Sequence, residues 1–84
     1  MLPERIDESL SRVCALFEGG TIRPLFLEWA GRRYHVRRTN ASWIDRSSRA
    51  RRHEFCLTMQ TGDVFEVAYD ERRSSWLLKT VLTE

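Results

Sequence analysis

Apolar residues in the first part of the chain recur at the interval of an α-helix. The positions concerned are Ile6, Leu10, Val13 and Phe17. Spacings of four, three and four residues place these side chains on one face of a helix. Early acidic residues suit the positive end of a helix dipole, and Gly19-Gly20 can supply the left-handed conformation that ends a helix. The pattern predicts a helix over residues 4–18.

After Gly20 the apolar residues alternate with polar ones, as they do in β-strands. Alternating segments separated by turn residues predict strands at about 23–29, 32–39, 52–60, 64–69 and 76–82. Ala30-Gly31 and Thr61-Gly62-Asp63 are predicted reversals between strands. Residues 40–52 are rich in Ser and Arg and contain Trp43-Ile44, so both a short strand and a loop pinned by one aromatic side chain stay open.

Several predicted strands carry apolar residues on both faces, whereas a flat sheet with one face in water needs them on one face only. The pattern therefore predicts an α+β fold, with the N-terminal helix packed as a lid on a strongly bent antiparallel sheet of about five strands. Such a sheet is an SH3-like half-barrel. With 84 residues, the chain is expected to form a single domain, 1–84, made of a helix at about 4–18 and a β-rich body at about 21–82.

Composition is typical of a globular protein, with 42% apolar and 31% charged residues. No apolar run approaches the roughly 20 residues that cross a bilayer, and the N-terminus has no apolar signal core, so a cytoplasmic location is expected. Cys14 and Cys56 lie far apart without Cys-x-x-Cys spacing. Both are expected to be reduced, and neither a metal site nor another cofactor is predicted.

Positive charge is concentrated in the middle of the chain. Residues 32–52 hold eight arginines and one acid, Asp45, for a local charge of +7, whereas the whole chain carries only +2. The guanidinium group forks onto phosphate and stacks on flat rings, which favours contact with nucleic acid. Thirteen of the fourteen basic residues are arginine, however, and genome base composition can also cause such a bias.

The arginine-rich segment favours a non-enzymatic module that binds nucleic acid with low specificity. The predicted nucleic-acid-binding residues are Arg33, Arg37, Arg38, Trp43, Arg46, Arg49, Arg51 and Arg52. The arginines would follow a phosphate backbone while Trp43 or Tyr34 stacks on a base. In the alternative interpretation, Glu28, Glu54 and Glu66 on neighbouring strands neutralise the strand arginines.

A second functional class is a protein-interaction module that docks a partner through Trp43 and an exposed strand edge. Catalysis is not predicted; the remaining alternative, an enzyme that uses His35 or His53, would need a deep pocket lined by one of them. His53 and Cys56 are three residues apart, and in a strand this spacing places their side chains on opposite faces. The carboxylates Glu54 and Glu66 lie on neighbouring predicted strands, without a metal partner or a defined pocket in sequence.

Two strings carry a resemblance to a known family. They are Trp-x-Gly-Arg-x-Tyr-x-Val from Trp29 to Val36 and Phe-Glu-x-x-Tyr-Asp from Phe65 to Asp70. Over about residues 20–82 the chain resembles a family of small uncharacterised bacterial domains, some of which are appended to the C-terminal end of translesion-type DNA polymerases. The resemblance implies a β-rich module without a known catalytic residue. Together with the arginine-rich segment, the resemblance makes DNA or RNA, or a DNA-repair or replication protein, the expected partner. The residue pattern itself gives no reason to expect a membrane or a small-molecule substrate.

Overall fold

The computed structural model describes residues 3–47, 49 and 51–83, and their regular secondary structure is entirely β. The strands are β1 (Glu4–Leu10), β2 (Arg12–Glu18), β3 (Thr21–Trp29), β4 (Arg32–Asp45), β5 (Arg52–Met59), β6 (Val64–Asp70) and β7 (Ser75–Leu82). They form one seven-stranded sheet in the order β1-β7-β6-β5-β4-β3-β2, and all neighbouring strands are antiparallel. No helix long and apolar enough to cross a membrane occurs in the described part of the chain.

The helix predicted over residues 4–18 is wrong, because this segment forms β1 and β2. A spacing of four residues fits one helical turn and equally two periods of a strand. Ile6 and Leu10 therefore both belong to β1, and Val13 and Phe17 both belong to β2. The one odd interval, from Leu10 to Val13, spans the residue that joins the two strands. The α+β class and the five-stranded SH3-like sheet with a helical lid are wrong for the same reason: the fold is all-β with seven strands.

The order of the strands explains why the sheet curls into a half-barrel. β1 and β2 form its two edges, yet they are joined by Ser11 alone. The end of one edge must therefore meet the start of the other, which a flat sheet cannot achieve. Register shifts help to bend the strands: β4 has two against β5, between Val36 and Arg38 and between Thr39 and Ala41.

The five strands predicted after Gly20 correspond to β3–β7. Their predicted boundaries are within a few residues of the observed ones, apart from the end of β4. That strand continues to Asp45, so the first part of segment 40–52, for which both a strand and a loop were open, is a strand. β7 lies between β1 and β6, and no described helix covers it.

The apolar core fills the concave side of the sheet. Its buried side chains are Leu10, Leu27, Tyr34, Phe55, Leu57, Met59, Phe65, Val67, Leu78 and Val81. Near the β3–β4 turn, the ring of Phe65 packs edge-on against Trp29 at 5.9 Å between centroids and lies 4.8 Å from Tyr34. We call this region, with Trp29, Tyr34 and Phe65 inside it, the closed end of the half-barrel. Trp76 is half-buried against Tyr69 at 4.9 Å.

Candidate nucleic-acid interface

β3 and β4 pair at one end only, and their separation opens a cleft at the other end. Their paired residues run from Trp29 with Arg32 to Phe26 with His35. Beyond His35, β4 pairs with β5 alone, while the first half of β3 pairs with β2 alone. Between the separated halves lies a cleft of about 550 Å³.

The cleft combines apolar and basic residues. Ile22, Ile44 and Phe55 line it from the concave side, and Arg46 and Arg51 reach it from the connection between β4 and β5. This combination can hold a ligand that has both an apolar surface and a negative charge.

A second depression of about 350 Å³ adjoins the cleft, since both are lined by His53 and by the turn between β2 and β3. Phe17, Tyr69 and Glu71 line this second part. We call the two together the open-end groove. It has a basic part with Arg46 and Arg51, and an aromatic part with Phe17 and Tyr69.

Phe17 supplies an accessible ring in the aromatic part. At 57% exposure, it is the most exposed large apolar side chain among the described residues. Its ring meets Tyr69 edge to face, with 5.6 Å between centroids and an interplanar angle of 73°. Tyr69 is itself packed on Trp76 and therefore ties the exposed ring to the core.

A histidine–carboxylate contact separates the two parts of the groove. His53 Nε2 lies 2.5 Å from Glu71 Oε2, and Arg51 Nε lies 4.0 Å from the same oxygen. The hydrogen bond with His53, followed by the positive charge of Arg51, lowers the pKa of Glu71. The carboxylate therefore stays ionised at neutral pH. The groove is basic on the side of Arg46 and acidic beside the aromatic rings.

Two of the predicted arginines lie beside carboxylates, and one of these contacts, Arg33 with Glu28, is the cross-strand pairing named in the alternative interpretation. Arg33 Nη2 lies 2.7 Å from Glu28 Oε2, and its guanidinium lies over the ring of Phe26 at 4.3 Å. The hydrogen bond from Arg33 lowers the pKa of Glu28. Arg52 Nε lies 3.8 Å from the buried Glu54. These two guanidinium groups are therefore less available to phosphate than the others.

The other predicted arginines make weaker contacts with acids or none. Arg38 donates a hydrogen bond to Asn40 Oδ1 at 2.9 Å, and Arg51 approaches Glu71 only at 4.0 Å. Within the described residues, Arg37, Arg46 and Arg49 form no ion pair. Arg46, Arg49 and Arg51 lie on the one connection between β4 and β5, and Arg46 and Arg51 line the groove. Arg37 and Arg38 lie farther back along β4, and Arg33 lies at the closed end.

The two aromatic side chains predicted to stack on a base differ in their exposure to solvent. Tyr34 is buried in the closed end, so its stacking role is excluded. Trp43 is 48% exposed and borders the cleft. Its cross-strand partner is Glu54, whereas Ile44 of the concave face is paired with His53. The indole therefore belongs to the convex face, and Trp43 borders the groove at its rim.

The residues considered for catalysis are held in structural contacts. His53 lies opposite Tyr69 and Cys56 lies opposite Glu66, so the two point to different faces, as their spacing predicted. Glu54 Oε1 accepts a hydrogen bond from Lys79 Nζ at 2.8 Å, and Glu66 Oε1 accepts one from Thr80 at 2.5 Å.

Sequence reasoning missed the aromatic part of the groove. The spacing pattern assigns Phe17 to the face of a helix, and the alternation in β6 shows only that Tyr69 points to the inner side of the sheet. The signal that was present is the Gly19-Gly20 pair, which is the tight turn of a β2–β3 hairpin, with positive φ values of 57° and 80°.

Comparison with known proteins gives a family and no function. Residues 1–83 match the family model described as Domain of unknown function (DUF6504), so the chain belongs to that family, and the match extends beyond the 20–82 region of the resemblance. No curated protein and no solved structure shows significant similarity to the chain.

Proposed function

We propose that this member of the DUF6504 family is a non-enzymatic module that binds nucleic acid, with little sequence preference, through the arginines beside the open-end groove. The observation that carries the proposal is that Arg46 and Arg51 line one groove while no described carboxylate lies within hydrogen-bonding distance of either. A guanidinium group that donates no hydrogen bond to a carboxylate, as Arg46 and Arg51 do not, can donate two parallel hydrogen bonds to a phosphate.

Asp45 is the one acid among residues 32–52, and its carboxylate is hydrogen-bonded within its own turn. Asp45 Oδ1 accepts a hydrogen bond from the backbone N–H of Ser47 at 2.9 Å. Hydrogen bonding with Ser47 lowers the pKa of Asp45, so its charge is stabilised within the turn. Asp45 keeps its negative charge, but Arg46, Arg49 and Arg51 outnumber it, so the connection has a net positive field that attracts a polyanion even when the whole chain is nearly neutral.

The proposed partner is DNA or RNA, in a cytoplasmic setting. The resemblance to domains appended to translesion-type polymerases supports a place in DNA repair or replication, where a DNA-repair or replication protein would be a neighbour. Contacts to phosphate carry no sequence information, so low specificity is expected.

Charge reversal tests the proposal. Mixed-sequence DNA and RNA oligonucleotides are titrated at low salt with the unmodified protein, with Arg46→Glu/Arg51→Glu, and with the control Arg72→Glu/Arg73→Glu. The control makes the same charge change in the exposed turn before β7, where the backbone N–H groups of Arg72 and Arg73, and not their side chains, donate to Asp70 among the described residues. We expect the groove variant to lose about 100-fold in affinity and the control less than about 5-fold, with binding that weakens steeply as salt rises. Absent or salt-independent binding, or equal losses, would contradict the proposal.

A protein partner is the second candidate, and the position of Trp43 favours it. The indole is 48% exposed on the convex face, on the part of β4 that lacks a strand neighbour on one side. An aromatic anchor beside a free strand edge is a common protein-binding arrangement. A partner captured from nuclease-treated host lysate by the unmodified protein, and lost with Trp43→Ala but not with Leu25→Ala, would support this candidate. Partners that vanish on nuclease treatment would support nucleic acid instead.

A further inference from the structure

We infer that the open-end groove takes up one unpaired nucleobase against the ring of Phe17, so that the module prefers single strands to duplex. This inference rests on the proposed function and names its substrate class. It depends on Phe17, Tyr69 and Glu71, whereas the proposed function depends on the arginines alone.

The exposed ring is the first argument. Phe17 lies on an edge strand with 57% of its surface exposed, although an apolar side chain of this size usually finds a place in the core. Its edge-to-face contact with Tyr69 holds it in place and leaves much of the ring accessible. Aromatic platforms of this kind stack on any base, since every base has a π face.

The size of the groove is the second argument. Its two adjoining parts measure about 350 and 550 Å³, which suits a base in one and the attached sugar and phosphate in the other. The Cα atoms span 33 × 24 × 23 Å, so a groove at one end of the molecule has room for one nucleotide and not for a duplex, whose major groove alone is about 12 Å wide. A duplex also keeps the faces of its bases stacked inside the helix, where Phe17 cannot reach them.

The division of charge orients the ligand. Arg46 and Arg51 attract a phosphate to the basic part, while the ionised Glu71 repels it from the aromatic part. A carboxylate at that position can accept a hydrogen bond from an amino group on a base edge. Cytosine and adenine carry such a group, whereas thymine and uracil do not. Glu71 should therefore give a modest preference for oligo(dC) over oligo(dT).

The test compares Phe17→Ala with Leu16→Ala. Leu16 is the preceding residue of β2, but it is paired with Arg23 and faces away from the groove, whereas Phe17 is paired with Ile22. Affinities are measured at low salt for a 12-nucleotide oligo(dC), a 12-nucleotide oligo(dT) and a 12-base-pair duplex. We expect Phe17→Ala to lower affinity for oligo(dC) about tenfold and to leave duplex binding unchanged, while Leu16→Ala changes neither. Phe17→Trp should retain the preference, which separates stacking from a fold defect.

Other outcomes distinguish this inference from the function on which it rests. If Arg46→Glu/Arg51→Glu loses binding while Phe17→Ala keeps the single-strand preference, the inference is wrong and the proposed function stands. If the unmodified protein binds no oligonucleotide, both are wrong. Glu71→Gln should reduce the preference for oligo(dC) over oligo(dT) by about threefold. An acidic 12-residue peptide that binds more tightly than oligo(dC) and depends on Phe17 would identify the groove as a peptide site and overturn the inference.

Discussion

The two ends of the half-barrel use the same residue types for opposite purposes. At the closed end, β3 and β4 remain paired, Arg33 is bound by Glu28, and Phe65 is fully buried between other rings. At the open end the strands separate, Arg46 has no acidic partner among the described residues, and Phe17 is more than half exposed.

Strand pairing is what distinguishes the two ends. A paired neighbour places a carboxylate beside an arginine at fixed register, as Glu28 lies opposite Arg33. Arg46 lies just beyond the last paired residues, Asp45 and Arg52, and has no cross-strand residue opposite it, so its side chain remains available to a ligand. Arginine density along the sequence therefore marks a candidate binding site only where the sheet opens.

The largest expected difference between the ends is in stability. Phe65→Ala should lower the free energy of unfolding by about 3–5 kcal/mol, because it removes a fully buried ring at the closed end. Phe17→Ala should lower it by less than about 1 kcal/mol, because its ring is mostly exposed. Urea unfolding followed by tryptophan fluorescence measures both.

Phe65→Leu provides a milder variant if Phe65→Ala does not fold, with an expected loss of about 1–2 kcal/mol. Similar losses for Phe17→Ala and Phe65→Leu would mean that Phe17 is a core residue. The two ends would then not differ as described, and the exposed ring could not serve as a binding surface.

Sequence alone predicted the strands that follow Gly20 better than the segment before it. The period of two in β5 and β6 has no helical counterpart, so these strands are found within a residue or two. The first segment failed because intervals of four residues suit both structures, and the choice depends on whether β7 offers an edge with which β1 can pair. Such long-range pairing is not encoded in local spacing.

The site was predictable in part, for a related reason. Charge counting located the segment that contains Arg46, Arg49 and Arg51, but it could not separate them from Arg33. That separation depends on where β4 leaves β3, which happens just before the register shifts of β4 near Arg37 and Asn40. Phe17 could not be assigned to the groove from sequence, since its neighbours there come from β5 and β6.

A smaller effect is expected when single arginines at the two ends are compared in binding. Arg46→Ala should lower affinity for a mixed-sequence oligonucleotide about five- to tenfold and reduce the slope of log affinity against log salt by about one, as loss of one phosphate contact would. Arg33→Ala should leave both quantities unchanged, because Glu28 already neutralises this group. Equal losses from the two variants would show that binding responds to net charge and not to the open end.

The smallest effect concerns the acid stability of the closed end. Hydrogen bonding from Arg33 lowers the pKa of Glu28 below its usual 4.5, so the ionised carboxylate is favoured in the folded protein. This contribution to stability is fully present above that usual value and is lost as pH falls through the lower pKa of the folded state. Glu28→Gln should therefore flatten the dependence of the melting temperature on pH between about 5 and 2. Both residues are solvent-exposed, so the variant and the unmodified protein should differ little in the pH dependence of the melting temperature. The difference should shrink further in about 0.5 M salt, because the Debye length there is only a few Å. A pH dependence that is unchanged by Glu28→Gln at low salt would mean that the Arg33–Glu28 pair does not stabilise the closed end, and Arg33 would then be as available to phosphate as Arg46.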